Sequence, residues 1–291
     1  MGSALLARLG SHAVGTWRHP APGGIALELG SVARSPALAA DAVARADADV
    51  VYVAAGMTWV DGCEEDPSTA GAANRDGPAA LAAAARAAGG HTVFFSTEYV
   101  FDGTAGPYRE SDPPRPLSVY GRTKLEGEQA VLDADPGALV VRTTVVWGPE
   151  PNGRNFAHQL ARRLRVGDPM TVPDDQASSP TYNEDLVDAT TALVEADVSG
   201  VVHVAGAEVM DRAAFARRLA GAMGLDAGLV HPVPTATLDQ RAPRPLRAGL
   251  DIGRLRSLLP EHHPVSVEEG MARWRATGGS LPWSWGTETV V

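Results

Sequence analysis

Asp49–Ala54 reads DVVYVA, Gly77–Gly90 reads GPAALAAAARAAGG, and His91–Ser96 reads HTVFFS. The two outer runs are short and almost wholly apolar. A strand with one face in water alternates apolar and polar side chains, whereas a strand covered on both faces has no need to. The middle run is dominated by Ala, which loses no side-chain freedom in a helix. It stops at Gly89–Gly90, the residue type best suited to the left-handed backbone of a helix end. A buried strand, a helix and a second buried strand in succession make a parallel crossover unit.

The same alternation extends in both directions. Toward the N-terminus, helix is predicted over Ala4–Leu9 and Ala37–Ala46, with a strand over Ala13–Trp17 and a polar loop over Arg18–Gly24. Toward the C-terminus, a long helix is predicted over Val119–Asp133 and a strand over Ala138–Arg142. Helix then covers Asn155–Val166, Asn183–Glu195 and Arg212–Met223, with a strand over Gly200–Val204 and a Pro-, Arg- and His-rich stretch over Pro232–Pro264. The expected fold is α/β, a Rossmann-like doubly wound parallel sheet with a smaller C-terminal substrate-binding cap. Residues 1–148 are expected to form the dinucleotide-binding domain. Residues 149–277 are expected to form mainly the cap, with segments returning to the sheet, and residues 278–291 a tail.

Composition narrows the partners. The chain of 291 residues carries 35 acidic and 25 basic side chains, a net charge of −10. Such a surface repels phosphate backbones, so nucleic acid is not an expected partner, although a small anion held by a few Arg side chains is compatible. The single cysteine, Cys63, forbids an intrachain disulfide and fits a reducing cytoplasm. No cluster of residue types suggests a metal site. No apolar run approaches the roughly 18–20 residues of a membrane span, so no membrane partner is expected.

The beginning departs from the expected pattern. A dinucleotide fold opens with a strand, a Gly-rich turn and a helix. Here MGSALLARL reads as the helix itself, with Gly2 in the place of the third glycine and the first strand and first two glycines missing. A start assigned at an internal Met explains this better than true loss, because omitting a central strand exposes core.

Tyr120 and Lys124, in YGRTK, lie one turn apart on a predicted helix face. A phenol of ordinary pKa about 10 is a poor acid at neutral pH, and a nearby ammonium makes it usable. Spacing alone is equally compatible with a surface Tyr–Lys pair. Thr97 sits at the end of HTVFFS, where open parallel sheets place their ligands.

STEYVFDG (Ser96–Gly103) and GPYRESDPPRPLSVYGRTKLEGEQAV (Gly106–Val131) closely resemble the dTDP-4-dehydrorhamnose reductase family of extended short-chain dehydrogenases. DQASSPTYNEDL (Asp175–Leu186) and APRPLRAGLDIGRLRSLL (Ala242–Leu259) resemble its cap and C-terminal segments. The resemblance implies a catalytic trio of Thr97, Tyr120 and Lys124. Tyr120 would protonate the C4 oxygen as a nicotinamide hydride arrives at C4. Lys124 would lower the Tyr120 pKa and hold the nicotinamide ribose, and Thr97 would orient the carbonyl. Glu98 stands where the family often has Asp, as a supporting acid.

For the cofactor, the resemblance implies Gly2, Arg18, His19, Leu29, Ala54, Ala55 and Gly56. Arg18 and His19 favour NADPH, with NADH the other option, and Leu29 would flank the adenine. Val60, Arg154, Asn155 and Gln176 would line the nucleotide-sugar site, with Arg154 toward the diphosphate. Val145 stands where the family typically has Trp, which leaves the sugar open. Trp147 is expected in the place of a family Tyr. A homodimer is one assembly consistent with this reading. Two alternatives remain: a non-catalytic dinucleotide-binding subunit resembling the β subunit of methionine adenosyltransferase, or a nucleotide-sugar epimerase or dehydratase.

Overall fold

The computed structural model of the chain describes residues 1–19 and 23–276. The tail assigned to residues 278–291 lies outside them. In chain order the first elements are α1 (Gly2–Leu9), β1 (Thr16–Trp17), β2 (Ile25–Ala26), α2 (Leu29–Arg34), α3 (Ala37–Ala46) and β3 (Val50–Val53). Then come α4 (Val60–Glu65), α5 (Pro67–Gly71), a π-helical turn (Ala72–Asp76), α6 (Gly77–Ala87), β4 (His91–Thr97), α7 (Val119–Ala134) and β5 (Leu139–Thr143). The remaining part holds β6 (Val146–Trp147), α8 (Phe156–Arg165), β7 (Met170–Pro173), β8 (Ala177–Ser178), β9 (Thr181–Tyr182), α9 (Asn183–Glu195) and β10 (Gly200–His203). It ends with β11 (Met210–Asp211), α10 (Arg212–Met223), β12 (Val230–Val233), α11 (Gly253–Leu258) and α12 (Val267–Ala276).

The central sheet is parallel, in the order β10-β5-β4-β3, with Val93 opposite Leu139 and Thr97 opposite Thr143. Alternating side chains explain why its strands are apolar throughout. Val93, Phe95 and Val141 pack on one face with Leu186 and Leu193 of α9, Leu255 of α11 and Leu5 of α1. Phe94 and Val140 pack on the other with Val32 of α2, Ala39 of α3, Leu81 of α6 and Val131 of α7. Helices thus cover both faces, as the doubly wound pattern requires. Burial of each large apolar side chain here contributes roughly 1.5–3 kcal/mol. A third cluster joins Trp147, Leu160, Phe215, Leu219, Met271 and Trp274 from β6, α8, α10 and α12.

The long elements lie where the sequence predicts them, while the strand expected over Ala13–Trp17 shrinks to two residues. It pairs in parallel with β2 in a separate two-stranded sheet, and β3 is an edge of the central one. The short helices α2, α4 and α5 are below the length at which periodicity can be read. A Cβ built on Gly2 would meet nothing within 4 Å, so the close helix–strand packing expected of that glycine is not made by the described residues.

Candidate active site

Two local features bring Thr97 and Tyr120 together. β4 ends at Thr97, whose hydroxyl accepts the Tyr99 amide at 3.3 Å and closes a turn. Across from it, Ser118 caps α7 by accepting the Gly121 amide at 3.2 Å, while the Val119 amide donates to Glu64 Oε1 at 2.7 Å. Tyr120 therefore enters the first turn of a well-capped helix. Gly121 lets that turn approach, because a Cβ there would lie 2.2 Å from the Tyr99 carbonyl. The Tyr120 ring is buried, and the Tyr99 ring meets it edge-on at 5.4 Å. Burial pushes the phenol well above its ordinary range, and a hydrogen bond with Thr97 partly opposes this.

Lys124 lies one turn further along α7, with its ammonium on the strand β4. Its Nζ donates to the Phe95 carbonyl at 2.6 Å and stands 3.9 Å from the centre of the Phe94 ring. Burial lowers the Lys124 ammonium to about 7, with Glu128 opposing. The i,i+4 relation sets two Cβ atoms side by side, but not where a four-carbon stem ends. A neutral phenol offers the ammonium no opposite charge, and the buried carbonyl of β4 takes it instead.

Glu98 is fully enclosed. Its Oε1 accepts the Ser178 hydroxyl at 2.9 Å, and its Oε2 has no partner among the described residues. Burial raises this carboxyl to about 7, eased by the nearby Thr144 and Ser178 hydroxyls and the Arg212 charge.

Two supports were not legible in the sequence. Glu128 accepts both Arg142 Nε (2.9 Å) and Arg142 Nη2 (2.7 Å) in a buried pair, and also accepts the Ser96 hydroxyl. Asn74, in the π-helical turn, accepts the Met57 amide at 2.8 Å and donates to the Met57 carbonyl and to Thr123 Oγ1 at 3.1 Å. It thereby ties the loop after β3 to α7. A π-helical turn often marks such a functional site, but its signature is geometric rather than compositional.

The residues expected to hold a dinucleotide follow the ends of parallel strands. Ala54, Ala55 and Gly56 follow β3, and a Cβ on Gly56 would lie 2.8 Å from Asn74 Oδ1. Arg18 follows β1 and is exposed, 3.8 Å from Glu28 Oε1; His19 beside it is exposed too. Leu29 opens α2 and packs partly against the core. These small and basic groups suit a dinucleotide diphosphate and a phosphorylated ribose.

The substrate candidates are dispersed. Val60 opens α4. Asn155 caps α8, donating to the Gly148 carbonyl at 2.8 Å and accepting the His158 amide at 3.2 Å. Gln176 is buried and donates to Thr235 Oγ1 at 2.9 Å and Gln240 Oε1 at 3.0 Å. Arg154 is exposed, its amide on Glu150. Val145 has φ 41°, an unusual conformation for a β-branched residue, which costs on the order of 1–3 kcal/mol. Trp147 is buried against Tyr182 and Phe215.

A buried phenol and a strand-end hydroxyl at the carboxyl end of a parallel sheet, with a lysine bonded to the same strand, are the equipment of short-chain dehydrogenase/reductase chemistry. Residues 26–273 match the family described as the RmlD substrate binding domain. The chain belongs to that family. It is 41% identical over 224 residues to a dTDP-4-dehydrorhamnose reductase of Mycobacterium tuberculosis, covering 74% of this chain and 73% of the relative. It is 36% identical over 234 residues to a protein of Haloferax volcanii named a probable low-salt glycan biosynthesis reductase, covering 79% and 78%. A Bacillus anthracis dTDP-4-dehydrorhamnose reductase solved in complex with NADP superposes with a TM-score of 0.78 at 28% identity, covering 84% of this chain and 86% of that one. Among the described residues, no helix is long and apolar enough to cross a membrane.

Proposed function

We propose that the chain is an NADPH-dependent reductase of a 4-keto-6-deoxy sugar nucleotide of the dTDP-4-dehydrorhamnose type. The observation that carries this reading is the joint burial of Thr97, Tyr120 and Lys124 at the carboxyl end of β4. When bound, the reduced nicotinamide supplies a hydride. Tyr120, kept protonated by its burial, holds the proton destined for the C4 oxygen, and Thr97 orients that oxygen. Once Lys124 leaves the Phe95 carbonyl, its ammonium stabilises the phenolate left behind and holds the ribose. Ala54–Gly56 bring backbone close to the dinucleotide, Leu29 lies beside the adenine, and Arg18 with His19 meets the 2′-phosphate. Val60, Arg154, Asn155 and Gln176 line the sugar-nucleotide cleft.

NADPH consumption with dTDP-4-dehydrorhamnose tests the reading. Turnover is expected, and intact cofactor binding without turnover would remove this substrate. A non-catalytic regulatory subunit is the second reading, favoured by the attachment of Lys124 to the Phe95 carbonyl rather than to the phenol. Capture of a partner synthetase by a chain without reductase activity would establish it. A cytoplasmic homodimer accords with the first reading, and light scattering checks its assembly.

A further inference from the structure

Of the 25 basic side chains 24 are Arg, and one, Lys124, is Lys. A guanidinium stays charged, whereas a buried ammonium can lose its proton. The chain thus carries its one adjustable cation on α7, a turn beyond Tyr120. The surroundings of that cation form a polar row across the sheet. Ser96 of β4 stands opposite Arg142 of β5, and Arg142 opposite His203 of β10. Glu128, one turn beyond Lys124, reaches the row from α7. It accepts Arg142 Nε at 2.9 Å, Arg142 Nη2 at 2.7 Å and the Ser96 hydroxyl.

Two successive residues of β4 are therefore gripped by two successive turns of α7. Lys124 Nζ holds the Phe95 carbonyl at 2.6 Å, and Glu128 holds Ser96. The next residue of the strand is Thr97, and the preceding turn of the helix carries Tyr120. Gly127 allows the close approach, since a Cβ there would lie 2.1 Å from the Asn74 carbonyl oxygen and 3.1 Å from the Phe94 ring. The apolar cluster of Phe94, Val131 and Val140 holds the helix on the sheet without direction, whereas hydrogen bonds accept one register. Sliding a helix by one residue moves it ~1.5 Å, and a displacement of about 1 Å costs on the order of 100-fold in rate. Stability alone does not account for the ion pair, because apolar residues in place of a buried pair are often as stable.

We propose that Glu128, fixed by Arg142 and Ser96, is a positioning residue that sets the register of α7 on β4 and so places Tyr120 at Thr97. Its effect on turnover rests on the reductase reading. Glu128 is also the charge that favours the Lys124 ammonium against burial, which lowers it to about 7. Behind Glu128 stand Arg142 and then His203, whose imidazole is lowered by burial below its ordinary value.

The test uses the full chain labelled with carbon-13 at lysine Cε, which gives one signal because there is one lysine. Ser96→Ala keeps the ion pair. The double variant Glu128→Gln, Arg142→Met removes it without stranding a buried charge. Ser96→Ala is expected to lower kcat about 5- to 10-fold and the double variant about 10- to 100-fold, with KM for the sugar nucleotide and NADPH affinity unchanged. The Lys124 titration midpoint is expected to hold in Ser96→Ala and to fall below about 7 in the double variant, because an opposite charge is removed. A merely structural role would lower Tm and leave the midpoint in place.

Folded variants with wild-type kcat and an unmoved lysine midpoint overturn the proposal. If the double variant does not fold, Ser96→Ala decides, and an unchanged kcat there overturns it. The two readings fail separately. A wild type without turnover removes the reductase, and the lysine midpoint then decides the role of Glu128. Wild-type turnover matched by both variants spares the reductase and removes the positioning role.

Discussion

The carboxyl ends of β4 and β1 are both assigned to one dinucleotide, but they are built in opposite ways. At β4, Thr97, Lys124, Glu128 and Arg142 are all buried, and Lys124, Glu128 and Arg142 are held by elements distant in sequence. At β1, a two-residue strand carries Trp17 and Arg18 into solvent, and Arg18 has only a distant contact with Glu28. On the proposed function, proton chemistry is housed in low dielectric, where positions and pKa values can be set, and cofactor discrimination is left to an exposed charge, where each contact is worth little.

Substitutions can break or sharpen that contrast. Tyr120→Phe is expected to have the largest effect, lowering kcat by about 10²- to 10⁴-fold with Tm nearly unchanged, checked by NADPH consumption. Glu128→Gln should cost about 3–5 kcal/mol of stability, because it leaves Arg142 buried without its counter-charge; urea unfolding measures it.

Glu98 makes the buried region pH-dependent. Burial raises its carboxyl from the ordinary 4.5 to about 7 in the folded state, so between these values the folded state binds the extra proton. Stability contributed by the neutral form is therefore present below pH 4.5 and lost as pH rises through 7, by on the order of 3 kcal/mol. Glu98→Gln should flatten that decline, and a wild-type profile with no fall between pH 4.5 and 7 would count against this burial. Smallest is Arg18→Ala at the exposed end. It should raise KM for NADPH about five- to tenfold, the scale of about 1–1.4 kcal/mol, and leave KM for NADH in place.

Much of this molecule is local and therefore legible. The apolar runs of β3, β4 and β5, the Ala-rich α6 and the capped helix carrying Tyr120 each declare themselves within a dozen residues. Glu98 was named only through the family resemblance, and its enclosure came from the fold. The front of the sheet was less legible: Ala13–Trp17 has strand composition, but only Thr16 and Trp17 find a partner in Ile25 and Ala26. Trp147 shows a related limit, because its position in the sequence does not say that it packs beside Phe215 in a buried cluster.

By itself, the sequence determined the layer architecture and the order of its elements, because hydrophobic period and helix ends are short-range properties. It also determined the family, through long motifs, and the candidate trio. Only the tertiary structure decided which polar groups meet: Lys124 with the Phe95 carbonyl, Glu128 with Arg142, and Asn74 with the loop after β3. A charged side chain takes its partner from whatever the fold brings within a few ångströms, and burial sets what that contact is worth. Neither quantity is written in the spacing of residues along the chain.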